Sequence, residues 1–212
     1  HGYQVITLAR KSKVSATRIN FCIRVFKQIL NDAIKWDYLI QNPINKVEKL
    51  KQNPRGETYW LAEDVQKFLN ANRDHPFYAF FLVALNTGMR RGELLGLKWD
   101  KVDFVNRQIE IARNRDRYEV RSTTKTGIIR YVPMNLTVFA ELQKLKMEKR
   151  NLDFVFVDKE GNPPDVQHIC DRIFKVAIER AELSKIRFHD LRTTFASNFV
   201  MNGGDIYTLS RI

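Results

Sequence analysis

The sequence predicts a mainly helical α+β fold with one small antiparallel sheet. Apolar residues recur at helical spacing near the start of the chain, as at Ile19, Cys22 and Phe26. In the middle of the chain the spacing changes to the alternation that is typical of strands, most clearly over residues 108–112. Helical spacing returns after Pro133. Because the strands follow one another without intervening helices, we expect an antiparallel sheet rather than a series of βαβ units.

Two domains and a linker are predicted. Residues 1–47 contain one long amphipathic helix, which runs from Ser15 until Asn42-Pro43 ends it, since the residue preceding a proline avoids the helical region. One such helix cannot bury its own apolar face, so we interpret this region as part of a small helical domain. Residues 48–58 are charged and carry a proline and a glycine, which is typical of a linker. The second domain comprises residues 59–212.

The elements of the second domain follow from the same two patterns. Helices are predicted around 61–69 and 77–85, from Met89, and over 135–150, 166–183 and 188–197. Strands are predicted over 102–105, 108–112, 118–120, 128–132 and 154–157, with a turn at 122–127. Most of the strand pattern therefore lies between two helical stretches.

The charge of the chain favours a polyanionic partner. The 212 residues include 36 Lys and Arg against 24 Asp and Glu, a formal charge of +12. Such an excess points first to nucleic acid and second to an anionic membrane surface. No uninterrupted apolar segment reaches membrane-spanning length and no lipidation motif is present, so the membrane alternative is disfavoured.

The cysteines and the first residue bear on cellular context. Cys22 and Cys170 are far apart and each lies in a helical pattern, so they indicate neither a zinc site nor a disulfide framework. Free thiols fit a reducing cytoplasm. The chain starts at His1 without a signal peptide, and we expect it to be a piece of a longer protein.

The most informative charged pair follows the strongly apolar run over 77–85. That run ends at Gly88, and a short helix is predicted to begin at Met89 with Arg90 in its first turn. Glu93 comes three residues after Arg90, so the two side chains share a helix face. The leucines around them predict a buried helix, in which an arginine must be paired. Taken alone, Arg-x-x-Glu is more often a structural ion pair than a functional site.

Two further features carry candidate chemistry. The predicted helix over 188–197 places His189 and Arg192 on one face, and Lys125 lies in the predicted turn between strands. A lone His-x-x-Arg is also more often structural than catalytic. The chain shows no metal-ligand cluster and no phosphate-binding loop motif around Lys125.

Read together, these residues suit metal-free chemistry on a phosphodiester. Two guanidiniums can clamp the non-bridging oxygens on which charge develops in the transition state. A lysine on a turn can protonate the leaving oxygen, and a histidine can serve the nucleophile as proton acceptor.

The same residues make the sequence resemble the tyrosine recombinase (phage-type integrase) family over residues 15–212. Residues 87–95, Thr-Gly-Met-Arg-Arg-Gly-Glu-Leu-Leu, look like its first arginine box. Residues 124–127, Thr-Lys-Thr-Gly, followed by Arg-Tyr-Val-Pro, look like its β-hairpin lysine. Residues 189–192, His-Asp-Leu-Arg, look like its His-x-x-Arg box. Three boxes in order are a far more specific signal than any one of them.

The resemblance implies a role for each residue. Arg90 and Arg192 would clamp the scissile phosphate, and Glu93 would hold Arg90 from behind. Lys125 would protonate the 5′-hydroxyl leaving group and His189 would serve the nucleophile. The family forms a covalent 3′-phosphotyrosyl intermediate and uses neither metal nor another cofactor, because the covalent link conserves the phosphodiester energy.

The resemblance also implies a domain assignment and partners. Residues 1–47 would be the C-terminal part of the helical core-binding domain, and 59–212 a catalytic domain. Lys11, Lys13, Arg18 and Arg91 are expected to contact DNA, although solvated surface charge is an equally good interpretation of those in the first domain. The expected partners are double-stranded recombination sites, a homo-tetramer on DNA and accessory directionality proteins. The expected location is the cytoplasm of a bacterial or phage-infected cell.

Two departures from the family pattern limit the prediction. Thr193 follows Arg192 where many members have a second histidine. The family's tyrosine nucleophile lies roughly thirty residues past the box arginine, so we expect none within residues 1–212 and regard Tyr207 as a decoy. Two alternatives remain open. One is a DNA-binding protein that uses this fold without chemistry, and the other is a type IB topoisomerase. Among recombinases, the residues of the three boxes favour the integrase of a mobile element.

Overall fold

The computed structural model describes residues 14–52, 58–112, 114–115, 120–121, 129–148, 152–165 and 167–211. The chain divides into two compact units, His1–Gly56 and Glu57–Ile212. Within the described ranges, no helix is both long enough and apolar enough to cross a membrane.

The first unit is built on one helix, α1 (Ala16–Lys35), capped by the Ser15 side chain, which accepts a hydrogen bond from the Arg18 amide at 3.3 Å. The helix ends well before Pro43, because the chain turns at Asp37 with a left-handed φ of 60°. The end predicted from the proline was therefore wrong. Along the predicted apolar stripe Ile19 is buried, whereas Phe26 is exposed, as expected for a helix that cannot cover its own face.

Asn20 fixes the segment after α1 onto that helix. Its side-chain amide donates to the Leu50 carbonyl at 2.8 Å and its carbonyl accepts from the Leu50 amide at 2.8 Å. Asn42 makes a similar tether by donating to the Lys27 carbonyl at 3.0 Å. The two bonds to Leu50 satisfy backbone groups that lie outside helices and strands.

The second unit starts with three helices, of which the middle one is the most deeply buried. They are α2 (Ala62–Ala71), α3 (Tyr78–Thr87) and the short α4 (Arg91–Leu95). Every residue of α3 from Ala79 to Leu85 is buried, which explains its continuous apolar sequence. Its aromatic side chains pack with those of other helices, as in the Phe68–Phe81 pair at 5.3 Å.

The predicted antiparallel sheet is confirmed. Three strands, β1 (Val102–Asp103), β2 (Gln108–Ile111) and β5 (Arg130–Pro133), pair in the order β1-β2-β5. A second pair joins β3 (Asn114–Arg115) to β4 (Val120–Arg121). Of the predicted strand at 118–120, Val120 lies in β4, and residues 118–119 and the turn at 122–127 lie outside the described residues.

The strand predicted over 154–157 was wrong. Phe154 makes a single antiparallel bridge with Lys98, flanked by the bonds Trp99 N–H to Asp153 O and Val155 N–H to Leu97 O, both 3.0 Å. The pairing stops there because the partner segment turns at once into a single 3₁₀ turn over Trp99–Lys101. The apolar residues after Phe154 are buried as core side chains and not as a sheet strand.

Four helical segments complete the unit. Helix α5 (Leu136–Glu148) is capped by Asn135, whose side chain accepts from the Val138 amide at 2.9 Å. The helix predicted over 166–183 is a π-helical turn, His168–Ile173, that continues as α6 (Phe174–Arg180). The remaining helices are α7 (Asp190–Met201) and α8 (Ile206–Arg211). Helix α3 packs against both α5 and α7, so it forms the centre of the unit.

Candidate active site

The turn between α3 and α4 requires a glycine. Gly88 has a left-handed φ of 60°, and a Cβ atom there would lie 2.4 Å from the Phe195 ring of α7. Only a residue without a side chain allows α7 to approach so closely. The turn then delivers Arg90, which is the N-cap of α4 and not part of its first turn as predicted.

Arg90 and Glu93 form the predicted pair. The Arg90 amide donates to Glu93 Oε2 at 2.7 Å and its Nη1 donates to Oε1 at 3.0 Å. The Glu93 side chain is 2% exposed, whereas that of Arg90 is 48% exposed. The expectation of a buried arginine was therefore wrong. The carboxylate is the buried member, since Arg90 precedes the helix and its guanidinium reaches the surface.

Arg130 is the main partner of Glu93 and was missed by the sequence analysis. Its Nη1 and Nη2 donate to the two carboxylate oxygens at 2.8 and 2.7 Å, and its side chain is 18% exposed. The strand pattern contained a signal that Arg130 faces the interior. Arg130 alternates with exposed Tyr131 and is in phase with buried Val132, so it lies on the inner face of β5.

Glu93 is held as a carboxylate by these bonds. Burial acts to raise the pKa of Glu93, but hydrogen bonds from Arg130 and from the Arg90 amide outweigh it and hold that pKa below its ordinary value. The carboxylate accepts four hydrogen bonds, two from each arginine, which matches the number of lone pairs that it offers.

Arg192 joins this cluster from α7. Its Nη1 donates to the carbonyl oxygen of Gly88, so it is anchored to the turn that carries Arg90. Burial lowers the pKa of Arg192, and repulsion from Arg90 and Arg130 lowers it further. Three guanidiniums therefore lie close together around one carboxylate. Such a cluster has a formal excess of positive charge and favours an anion.

His189 lies at the start of the same helix. It is the residue before α7, its side chain is exposed, and its carbonyl accepts from the Arg192 amide at 3.2 Å. Within the described residues its imidazole has no hydrogen-bond partner. The helix places His189 and Arg192 one turn apart, as predicted.

Asp190 fixes this end of α7 and was not assigned a role from the sequence. Its carboxylate is buried and accepts bonds from the Arg187 guanidinium, the shortest 2.7 Å, and from the Arg187 amide at 2.8 Å. Burial acts to raise the pKa of Asp190, but the bonds from Arg187 hold it below its ordinary value. A carboxylate in the first turn also suits the positive end of the helix.

The remaining predicted residues are Lys125, Lys11, Lys13, Arg18 and Arg91. Lys125, Lys11 and Lys13 lie outside the described residues, and Arg18 is exposed on α1 in the first unit. Arg91 is exposed at the start of α4; burial raises the pKa of the Cys170 thiol, and the Arg91 guanidinium offsets part of that rise. In the part of the chain that the structure describes, no group of three or more metal-ligating side chains is close enough to hold an ion.

Tyr207 lies on the surface of α8. Its side chain is 64% exposed, and its hydroxyl oxygen accepts from Arg211 at 2.6 Å. A turn and a helix N-cap precede it. Gly203 has a φ of 83°, and Asp205 accepts from the Thr208 amide at 2.7 Å.

Sequence comparison identifies the class of protein. Residues 59–212 match the phage integrase family, and the chain belongs to that family. It is 28% identical to a XerC-like tyrosine recombinase of Caldanaerobacter subterraneus subsp. tengcongensis, a match covering 95% of this chain and 59% of that protein. It is 25% identical to the ICEBs1 integrase of Bacillus subtilis, covering 92% of this chain and 57% of the relative. The chain therefore spans little more than half the length of these relatives.

Structural comparison shows the same fold in a solved integrase. The Tn1549 transposon integrase, in complex with a circular intermediate DNA, matches with a TM-score of 0.88 at 21% sequence identity. The match covers 99% of this chain and 75% of that one. The mainly helical α+β architecture with its small sheet is thus the architecture of that integrase.

Proposed function

We propose that the protein is a site-specific DNA recombinase, the integrase of a mobile element. The observation that carries the proposal is the arginine cluster in a member of the phage integrase family. Arg90 and Arg192 belong to different helical segments, yet the Gly88 turn connects both. Arg90 commits one guanidinium nitrogen to Glu93 and keeps its remaining N–H groups on an exposed side. Two such groups can bind the non-bridging oxygens of one phosphodiester.

The proposed reaction transfers the DNA phosphate to a tyrosine and back. The phenol oxygen attacks phosphorus, the bond from phosphorus to the 5′ oxygen breaks, and a 3′-phosphotyrosine forms. His189 receives the phenol proton and Lys125 gives a proton to the leaving 5′ oxygen. In the second step a 5′-hydroxyl attacks the phosphotyrosine and regenerates the phenol. Arg90 and Arg192 stabilise the charge that develops on the non-bridging oxygens in both steps.

The resemblance to the family supports the remaining assignments. Residues 1–47 would belong to a core-binding domain that holds DNA, followed by a linker over 48–58 and a catalytic domain over 59–212. The substrate would be double-stranded recombination sites bound by four copies of the protein, with accessory proteins setting direction. The reaction would take place in the bacterial cytoplasm, where the free thiols of Cys22 and Cys170 stay reduced.

A suicide-substrate assay tests the proposal. The full-length gene product is incubated with nicked duplexes made from the DNA on both sides of its gene. A covalent adduct should accumulate at one site, and its protein end should be a tyrosine by mass spectrometry. Arg90→Ala and Arg192→Ala should slow formation of the adduct by about 100-fold or more while the protein still binds the DNA.

The two alternative functions give different results. A DNA-binding protein without chemistry would form no adduct, and the two arginine substitutions would weaken binding only as much as other phosphate contacts do. A type IB topoisomerase would relax supercoiled plasmid without a preferred site and would not exchange strands between two duplexes.

A further inference from the structure

The Glu93 carboxylate is shared unequally by two arginines. Arg130 binds both oxygens side-on through its two terminal nitrogens, at 2.8 and 2.7 Å. Arg90 binds through one terminal nitrogen at 3.0 Å and through its backbone amide at 2.7 Å. The buried, two-pronged partner of Glu93 is therefore Arg130, and the exposed, one-pronged partner is Arg90.

The unequal sharing of Glu93 matters because a guanidinium and a carboxylate without other partners favour a pair with two parallel hydrogen bonds. If Arg130 were absent, two acceptor positions on Glu93 would be vacated inside the protein. The nearest donors would be those of Arg90, which already touches Oε1. The Arg90 guanidinium would turn inward to fill the vacated positions, since an unsatisfied buried carboxylate is costly. Its outward-facing N–H groups would then be lost to a bound phosphate.

We propose that Arg130 is a positioning residue for Arg90. By saturating Glu93 from β5, it restricts Arg90 to a single side-chain bond and keeps the rest of that guanidinium available to the scissile phosphate. This inference rests on the proposed function of the arginine cluster. Arg130 does not touch the phosphate, and it acts through Glu93.

Charge alone does not account for such a role. Arg130 also adds to the positive field of the cluster, because it repels Arg192 along with Arg90. A lysine at position 130 keeps the charge, but its single ammonium group cannot form the two parallel hydrogen bonds that a planar guanidinium makes to both carboxylate oxygens. Comparing Arg130→Lys with Arg130→Met therefore separates the positioning effect from the field effect.

Single-turnover cleavage by the full-length gene product tests the proposal. Arg130→Met should slow cleavage about 100-fold, as expected for a misplaced catalytic group, while the DNA dissociation constant changes less than about threefold. Arg130→Lys should recover DNA affinity fully and cleavage only in part. In an Arg90→Ala background, Arg130→Met should slow cleavage little further, because its effect passes through Arg90. Arg180→Met, at the exposed pair with Asp74, is the matched control and should cleave normally.

Several outcomes would overturn the inference. Normal cleavage by Arg130→Met would do so, and so would an equal loss from Arg130→Met with and without Arg90. If the wild type itself forms no adduct, the proposed function fails. The effect of Arg130 on the position of Arg90 is then tested by structure instead of by cleavage. A crystal structure of the 212-residue chain with Arg130→Met, or with Arg130→Lys if the former does not fold, should show the Arg90 guanidinium bound to both oxygens of Glu93 through two of its nitrogens, where the wild type uses one. An Arg90 guanidinium in its wild-type position would overturn the proposal.

Discussion

At the residue scale, Arg90 and Glu93 form one ion pair with two very different surroundings. Arg90 is about half exposed, and Glu93 is almost fully buried with Arg130 as its second partner. Removing Arg90 takes away an exposed charge whose pairing contributes about 0–1 kcal/mol. Removing the Glu93 charge takes from the largely buried Arg130 the carboxylate that accepts two of its hydrogen bonds. Stability and chemistry should therefore depend on different members of this pair.

The first prediction compares these two residues. Glu93→Gln should lower the free energy of unfolding by about 3–5 kcal/mol, because it removes the buried carboxylate that binds the Arg130 guanidinium at both oxygens. Arg90→Ala should change stability by about 1 kcal/mol or less but raise the barrier to DNA cleavage by about 3 kcal/mol or more. Denaturant titrations give the first quantity and single-turnover cleavage the second. Glu179→Gln, at an exposed pair with Lys185, is the control for charge removal. The reverse order of stabilities would assign Arg90 to the scaffold.

The second prediction concerns Lys125 as general acid. In the full-length gene product, Lys125→Ala should slow cleavage of an ordinary phosphodiester. A substrate with a bridging sulfur at the 5′ position should be cleaved at nearly the normal rate, because that leaving group needs no proton. Arg90→Ala should not be rescued in the same way, since it removes charge stabilisation. If Lys125→Ala binds DNA normally and the sulfur substrate restores nothing, the lysine only contacts phosphate.

The sequence identified both ends of the two short-range pairs in the site but missed Arg130. Arg90 with Glu93, and His189 with Arg192, are three residues apart, so helical spacing predicts that each pair is adjacent. Arg130 is 37 residues from Glu93, and only the pairing of β5 with β2 brings it to α4. The local sequence pattern also did not predict which side chain, Arg90 or Glu93, is buried. That depends on which side of the turn faces the other helices.

At the element scale, the Gly88 turn fixes the distance between α3, α4 and α7. The glycine has a positive φ and lies against the Phe195 ring, so it is constrained both by its backbone conformation and by space. Gly203 offers a matched comparison, because its φ is 83° but nothing lies within 4 Å of a Cβ atom added there.

The third prediction uses this pair of glycines. Gly203→Ala should cost about 1–2 kcal/mol, which is the strain of an ordinary residue in the left-handed region. Gly88→Ala should cost clearly more, since Phe195 or the turn must also move. It should also slow DNA cleavage, because Arg90 and the carbonyl that holds Arg192 are both part of this turn. Thermal unfolding of the two variants gives the comparison, and equal losses would mean that the contact with Phe195 is soft.

Element types were predicted well where the pattern is long. The buried run that forms α3 and the alternation that forms β2 were both found, because burial on all sides or on one side leaves a regular apolar signal. Residues 154–157 are continuously apolar, like the run that forms α3, but they make only one strand bridge. The extent of this pairing depends on the path of the chain after Lys98. Helix α1 ends at Lys35, just before the turn at Asp37, and not at the proline that was predicted to end it.

At the scale of the whole molecule, the formal charge of +12 predicts how DNA binding responds to salt. Each phosphate contact releases counter-ions, so affinity should fall steeply as salt rises. With about six to ten phosphates neutralised, the fourth prediction is a loss of roughly 10³- to 10⁵-fold between about 50 and 200 mM salt. A gel-shift titration of the 212-residue chain measures it. A nearly flat response would show that the charge does not serve nucleic-acid binding.

The fifth prediction is that the 212-residue polypeptide forms no covalent DNA adduct by itself. Tyr207 is the only tyrosine after Arg192, but its hydroxyl is bound to Arg211 on the exposed side of α8. In-line attack instead needs a phenol within reach of a phosphate held by Arg90 and Arg192. The family resemblance puts the nucleophile roughly thirty residues past Arg192, a position that residues 1–212 do not include. A suicide substrate should therefore trap neither the wild-type polypeptide nor Tyr207→Phe, and a tyrosine supplied by a longer protomer should restore the adduct. An adduct mapped to Tyr207 by mass spectrometry would overturn this assignment.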